Sequence, residues 1–191
     1  MIYKTLITGI KAHSTNERHQ IVHSIMHKPD EKKPCPPFVY IEGDESDMIR
    51  VYSAYAPANA GVNVIVDEVD VSNKTKVQLA STVAAVRIVK ENGKEVEKAQ
   101  LADNKLDKKS IKEWALKRYA YFGLTLVDGT FSIARERNIA DETHNVKKCP
   151  VATIHGIWNV SDPAKLEKLL LTKLGKRNYL GLGMTRIVDA L

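Results

Sequence analysis

The sequence predicts an α+β protein built from two tandem βαββαβ units. Three observations carry that prediction. The order of strand-like and helix-like segments repeats along the 191 residues. An Asn-Gly pair between alternating segments marks a hairpin in mid-chain. Capping residues mark helix starts, and glycines mark helix ends.

The elements follow in order. Ile2 to Ile10 alternates loosely among β-forming residues and reads as a strand. Ser14-Thr15-Asn16-Glu17 is a capping box, in which Ser14 caps and Glu17 reaches back. The helix it opens runs to about His27, and Lys28-Pro29 with Pro34, Pro36 and Pro37 makes the loop that follows. Phe38 to Glu42 and Ile49 to Tyr55 are strands around an acidic turn, Gly43 to Asp47. Ala56 to Gly61 is ambiguous, Val62 to Val71 alternates as a strand, and Lys76 to Ala80 is a further short one. The second helix of this unit is therefore expected to be short or degraded.

Val83 to Val89 and Glu95 to Ala99 flank Glu91-Asn92-Gly93-Lys94, the hairpin signal. Asp107 to Phe122 reads as a helix ended by Gly123. Leu124 to Arg135 and Lys148 to Val160 read as strands around a polar loop, Asn138 to Val146. Asp162-Pro163 opens the next helix, with Leu166, Leu169, Leu170 and Leu174 as its apolar stripe and Gly175 as its end. Met184 to Val188 is the last strand. Two such units of about ninety residues make a tandem ferredoxin-like arrangement, divided here as 1–82 and 83–191, with no clear linker between them.

Composition narrows the partners. Hydrophobic residues make up 43% of the chain, enough for a proper core. The formal charge of +6 points to nucleic acid, with a membrane surface as the weaker option. Cys35 and Cys149 are the only cysteines and lie far apart, which excludes a zinc ribbon and argues against a disulfide framework. No stretch approaches the eighteen or so apolar residues of a membrane span, so a soluble cytoplasmic protein is expected.

Two segments carry candidate chemistry. His19, His23 and His27 recur every four residues and so form one helical stripe, bordering the apolar stripe of Ile21, Val22, Ile25 and Met26. Imidazole suits proton transfer near neutral pH. The same stripe also reads as partly buried polar surface, and a His-x-x-x-His pair can hold a metal, although no acidic or cysteine ligand stands nearby at an obvious spacing. Near the end of the chain, Gly175-Lys176-Arg177-Asn178-Tyr179-Leu180-Gly181-Leu182-Gly183 sets cations among glycines. Glycine permits close backbone approach, and cations beside it favour a phosphate. The segment follows a helix and opens a strand, unlike the nucleotide P-loop or the dinucleotide fingerprint.

The histidine helix after the first strand, the basic hairpin in mid-chain and the closing glycine segment together resemble the CRISPR-associated repeat-cleaving endoribonucleases. The CasE type, a subunit of the Cascade surveillance complex, is the branch they resemble. The resemblance covers most of the chain. It is strongest at the end, where members show G-x-x-K-x-x-G-x-G before an apolar strand. Here Gly175, Gly181 and Gly183 match, Asn178 stands in the lysine slot, and Lys176 and Arg177 just before it would supply the charge instead.

The resemblance implies a function and a set of residues. The function is metal-independent, cofactor-free cleavage of precursor CRISPR RNA within the repeat. The 2′-hydroxyl attacks the adjacent phosphate and leaves a 2′,3′-cyclic phosphate. The enzyme would then stay bound to the product hairpin, as a protein monomeric on its own that joins other CRISPR effector-complex subunits. In Gln20-Ile21-Val22-His23 the resemblance makes His23 the catalytic histidine, and Gln20 before it leaves His19 or His27 open as a second player. Lys148, at the head of the strand leading to Ile154-His155-Gly156, is the basic partner, with Lys147 its neighbour. Arg87, Lys90, Lys94 and Lys98 would meet the RNA stem, and Lys176, Arg177, Asn178, Gly181 and Gly183 its backbone. The cations Lys105, Lys108, Lys109, Lys112, Lys117 and Arg118 read as a solvated helix face, and Trp114, Tyr119, Tyr121 and Phe122 as core and helix-end packing. Three departures stand out. Gln20 occupies a position where many relatives have tyrosine, Asn178 stands in the lysine slot of the closing pattern, and Leu79-Ala80-Ser81-Thr82-Val83 stands where they have an arginine-rich strand. A catalytically silent RNA-hairpin-binding subunit is thus the alternative.

Overall fold

The computed structural model describes residues 1–11, 15–27, 38–42, 47–99, 101–102, 105–141, 146–175 and 182–188. Ser14, the proline loop and most of the acidic turn lie outside them. Strands β1 (Ile2–Ile7), β2 (Phe38–Glu42), β3 (Ile49–Ser53) and β4 (Val64–Val69) form one sheet in the order β2-β3-β1-β4, all antiparallel. Helix α1 (Thr15–Met26) joins β1 to β2. That is the order of a βαββαβ unit, and it places the first and third strands at the centre.

Helix α1 covers one face of this sheet. Val22 and Met26, four residues apart, are buried and pack with Ile7, Ile10, Tyr40, Ile49 and Val51. The ambiguous segment before β4 holds no helix. Its Asn59 instead closes the C-terminus of α1: the backbone N–H donates to Ile25 O at 3.0 Å, and Nδ2 donates to Ser24 O at 2.8 Å and His27 O at 3.0 Å. These carbonyls have no partner within the helix, so a segment that satisfies them has a use other than forming a helix of its own.

The second unit uses β5 (Lys76–Ala84), α2 (Lys108–Tyr121), β10 (Leu124–Leu126) with β11 (Ser132–Asp141), β12 (Val146–Val160), α3 (Pro163–Leu170) and β13 (Thr185–Ile187). Its sheet runs β10-β12-β5-β13, with β11 also paired to β12. The strand order of the first unit is thereby repeated. Between β5 and α2 the chain makes a hairpin of β6 (Val86–Glu91) and β7 (Lys94–Ala99), then a small one of β8 (Leu101–Ala102) and β9 (Lys105–Leu106).

Four boundaries differ from the sequence reading. Strand β5 runs through residues 82 and 83, so the two sheets divide between Val69 and Lys76. The single strand expected over 124–135 is cut in two at Asp128-Gly129, where Gly129 has φ +76°. Thr130 Oγ1 pins that turn, donating to Val127 O at 2.7 Å and accepting from Ile157 N at 3.1 Å. The polar loop expected over 138–146 shrinks because β11 continues to Asp141 and β12 starts at Val146. Finally, α3 stops at Leu170. Leu174 leaves the helix so that its N–H can donate to Gly183 O at 2.7 Å, yet stays fully buried.

Two aspartates cap helix starts, Asp162 as the sequence reads and Asp107 in addition. Asp162 accepts from Ala164 N and Lys165 N at 3.0 and 3.2 Å. Asp107 accepts from Ser110 N at 3.0 Å, and Gly123 ends α2 with φ +71°. The main core lies under α2 and α3, with Ile111, Ala115, Tyr119, Trp158, Leu166, Leu169 and Leu170 buried together. Ile2, Val39 and Tyr52, from the face of the first sheet opposite α1, join the same core. Each fully buried leucine contributes on the order of 1.5–3 kcal/mol, so this shared core holds the two units together.

Candidate active site and nucleic-acid surface

The fourfold spacing of the histidines gives a stack on α1. His19 and His23 are exposed and His27 is half-buried, with ring centroids 5.9 Å apart for His19–His23 and 4.0 Å for His23–His27. Val22 and Met26 hold the helix from beneath, so the stripe is fixed while its rings remain reachable. His23 has its pKa pushed below the ordinary histidine value, first by partial burial and then by the charges of His27 and His19. All three effects disfavour the imidazolium, which leaves His23 ready to accept a proton at neutral pH.

Tyr40 on β2 lies against this stripe. Its ring centroid is 5.9 Å from that of His19, and its Oη is 3.4 Å from His19 Nδ1. On the other side comes Lys173, just past α3, with Nζ 5.9 Å from the Tyr40 ring centroid. Burial lowers the pKa of the Lys173 ammonium from its ordinary value. Tyr40 thus bridges the first helix and the chain that leads into the glycine segment. Neither Tyr40 nor Lys173 was singled out from the sequence. Tyr40 reads as one more strand residue and Lys173 as one more helix cation, because their meeting is a contact across 133 positions of the chain.

The glycine segment is anchored at both ends. Leu174 N–H donates to Gly183 O, and Gly183 N–H donates to Thr82 O on β5, both at 2.7 Å. Gly175 and Gly183 take φ of +79° and +87°, which favours glycine at both positions. Leu182 packs with Ala84, Cys149 and Val151, so the returning end of the loop rests on β5 and β12. Lys176, Arg177, Asn178 and Gly181 lie outside the described residues. Lys148 sits on β12 one position before Cys149, and the side chains of Lys147 and Lys148 also lie outside the described ones. Among the described residues, Lys173 is a cation that reaches Tyr40, which itself lies against His19.

The mid-chain hairpin forms as expected, with Asn92 and Gly93 both at positive φ, 50° and 77°. Its charge is less one-sided than the lysines suggest. Lys98 pairs with Glu91, and the register sets Lys90 opposite Glu95 and Lys94 opposite Glu91. With Arg87 and Glu97 included, the hairpin sequence holds four cations and three carboxylates. Helix α2 presents more charge, with Lys108, Lys109, Lys112, Lys117 and Arg118 exposed around Glu113. Tyr119 and Phe122 are core, whereas Tyr121 is 68% exposed, edge-on to Phe122. Among the described residues no three His, Cys, Asp or Glu side chains gather as a metal site, and no helix is long and apolar enough to cross a membrane.

No protein-family model matches the chain, and no curated protein matches it in sequence. Solved structures do match its fold over almost its whole length. One is Thermus thermophilus Cse3 bound to an RNA representing a pre-cleavage complex, with a TM-score of 0.71 at 14% identity over 98% of this chain and 99% of that one. Another is the CRISPR-associated protein Cas6e from Escherichia coli K-12, with a TM-score of 0.71 at 12% identity over the whole of both chains. A third is a chain of a CRISPR RNA-guided surveillance complex, with a TM-score of 0.63 at 13% identity over 97% and 98%. The protein therefore has the tandem ferredoxin-like fold of these CRISPR-associated structures, in one α+β chain of the same extent. The likeness expected from the sequence is to the Cse3 and Cas6e structures in particular.

Proposed function

We propose that this protein is an endoribonuclease that cleaves precursor CRISPR RNA within its repeat and stays bound to the product hairpin, as one subunit of a CRISPR effector complex. The observation that carries the reading is a single one. On a fold shared end to end with the protein of a Cse3–RNA complex, the outer face of the first helix holds an exposed histidine whose pKa its surroundings lower.

His23 is the general base. It takes the proton of the 2′-hydroxyl as that oxygen attacks the neighbouring phosphorus, the 5′-oxygen leaves, and a 2′,3′-cyclic phosphate remains. Such acid–base help is worth roughly 10²–10⁴-fold. The reaction also needs in-line positioning and neutralisation of charge on the phosphorane. Lys148 and the loop residues Lys176, Arg177 and Asn178 supply these, with Gly181 letting the backbone approach and Gly183, buried and bonded to Leu174 and Thr82, anchoring the loop. Arg87, Lys90, Lys94 and Lys98 meet the stem, which an A-form helix presents mainly as phosphates and shape. No step calls for a metal.

The test is cleavage of CRISPR repeat hairpin RNAs in EDTA by the wild type and by His23→Ala. The reading predicts cutting by the wild type and a loss of roughly 10²–10⁴-fold in the variant. Binding without cutting by the wild type would establish the silent hairpin-binding subunit instead. Activity lost in EDTA and restored by a divalent ion would return the histidine stripe to a metal role.

A further inference from the structure

We infer that His19 is the second proton-transfer group of the reaction, the general acid that protonates the departing 5′-oxygen, and that Tyr40 is the positioning residue that aims it. The inference rests on the endoribonuclease reading and adds to it a residue pair drawn from two different elements.

The geometry begins with Tyr40. Its ring is 3% exposed and packed with Ile7, Val22, Ile49 and Val51, so the phenol oxygen has little freedom. That oxygen stands 3.4 Å from His19 Nδ1. An imidazole held through one nitrogen presents the other in a set direction, and here His19 lies on the exposed stripe of α1. In the acid form both ring nitrogens carry protons, so that Nδ1 donates to the phenol and Nε2 holds the proton to be transferred. Lys173 packs over the face of Tyr40 at 5.9 Å and fixes the ring further.

The second requirement is a base at the right distance. The His19 and His23 rings lie 5.9 Å apart on successive turns, so both can reach the two oxygens that exchange at one phosphorus. In the balanced step, His23 takes the 2′-hydroxyl proton as the 2′-oxygen–phosphorus bond forms. His19 gives its proton to the 5′-oxygen as the phosphorus–5′-oxygen bond breaks. One proton passes in and one out, and nothing is oxidised or reduced.

Charge supports the division of labour. The titratable groups around His19 are His23 on its own helix, Tyr40 on β2 and Lys173 across the Tyr40 ring, with Glu17 and Arg18 before it in sequence. Partial burial and the neighbouring charges of His27 and His19 disfavour the cationic form of His23, which suits it to the base role.

The experiment compares ordinary repeat hairpin RNA with the same RNA carrying sulfur in place of the 5′-oxygen at the scissile linkage. A thiolate leaves without a proton, so it removes the need for an acid and keeps the need for a base. His19→Ala should slow the oxygen RNA by about 10²-fold or more and the sulfur RNA by less than tenfold, whereas His23→Ala should be slow on both. Tyr40→Phe keeps the ring and its packing. It should cost about tenfold on the oxygen RNA, shift the alkaline limb of the pH–rate profile, and leave the sulfur RNA unaffected. Equal slowing of both RNAs by His19→Ala, or an unchanged rate and pH limb in Tyr40→Phe, overturns the inference while leaving the endoribonuclease reading intact. A wild type that cuts neither RNA overturns both.

Discussion

In the first unit one helix covers the sheet, resting on Val22 and Met26; in the second, α2 and α3 cover it and close over Trp158, Tyr119 and a leucine cluster. The strand order is the same in both. The first unit leaves its single helix half-exposed and loads the exposed stripe with imidazoles, whereas the second buries its leucine-rich face and spends its surface on charge. The difference separates scaffold from chemistry. A helix held from beneath by two residues, and capped by Asn59, can present reactive groups without being part of the main core.

The sharpest way to break that separation is a pair of substitutions. His23→Ala should lower cleavage by roughly 10²–10⁴-fold and leave thermal stability almost unchanged. Leu169→Ala, in the fully buried cluster of α3, should cost about 2–5 kcal/mol in denaturant unfolding, and would lower activity only as far as the protein unfolds. If His23→Ala unfolded the protein, the histidine stripe would be structure rather than site. Next in size, Asn59→Ala removes the two side-chain hydrogen bonds to the end of α1 and its flanking turn, while the backbone N–H keeps its own to Ile25 O. A loss of about 1–2 kcal/mol is expected, with amide exchange rising first in α1. Thr5 Oγ1 is buried beneath the first helix with no hydrogen-bond partner among the described residues. Thr5→Val should therefore stabilise the protein by about 1 kcal/mol in the same unfolding assay.

The smallest effect is the pH dependence of stability. The folded-state pKa of His23 lies below its unfolded value of about 6.5. As pH falls through that window, the unfolded chain takes up a proton that the folded one does not, so the fold loses stability. Unfolding curves at falling pH should show this drop, and His23→Gln should lessen it.

Much of the scaffold was legible because its signals are local. Alternation gave β1 and β4, Asn92-Gly93 gave the hairpin, and Gly123 and Asp162 bounded their helices by chemistry that acts within a few residues. The misread boundaries depend on distant partners. Leu174 looks helical until its N–H finds Gly183, and the 124–135 run looks continuous until Thr130 ties its turn to Ile157. The candidate site divides in the same way. The fourfold histidine spacing is visible in the sequence, whereas Tyr40 against His19 and Lys173 over Tyr40 exist only once β2 and the end of α3 meet. The basic hairpin was legible as a hairpin, but its charge was not, since pairing sets carboxylates opposite its lysines.

The most direct measurement is the chemistry of the cut ends. Repeat hairpin RNA treated with the wild-type protein in EDTA should yield an upstream product ending in a 2′,3′-cyclic phosphate and a downstream product starting with a 5′-hydroxyl. Products ending in a 3′-hydroxyl and starting with a 5′-phosphate would require water rather than the 2′-hydroxyl as nucleophile, and would contradict the account.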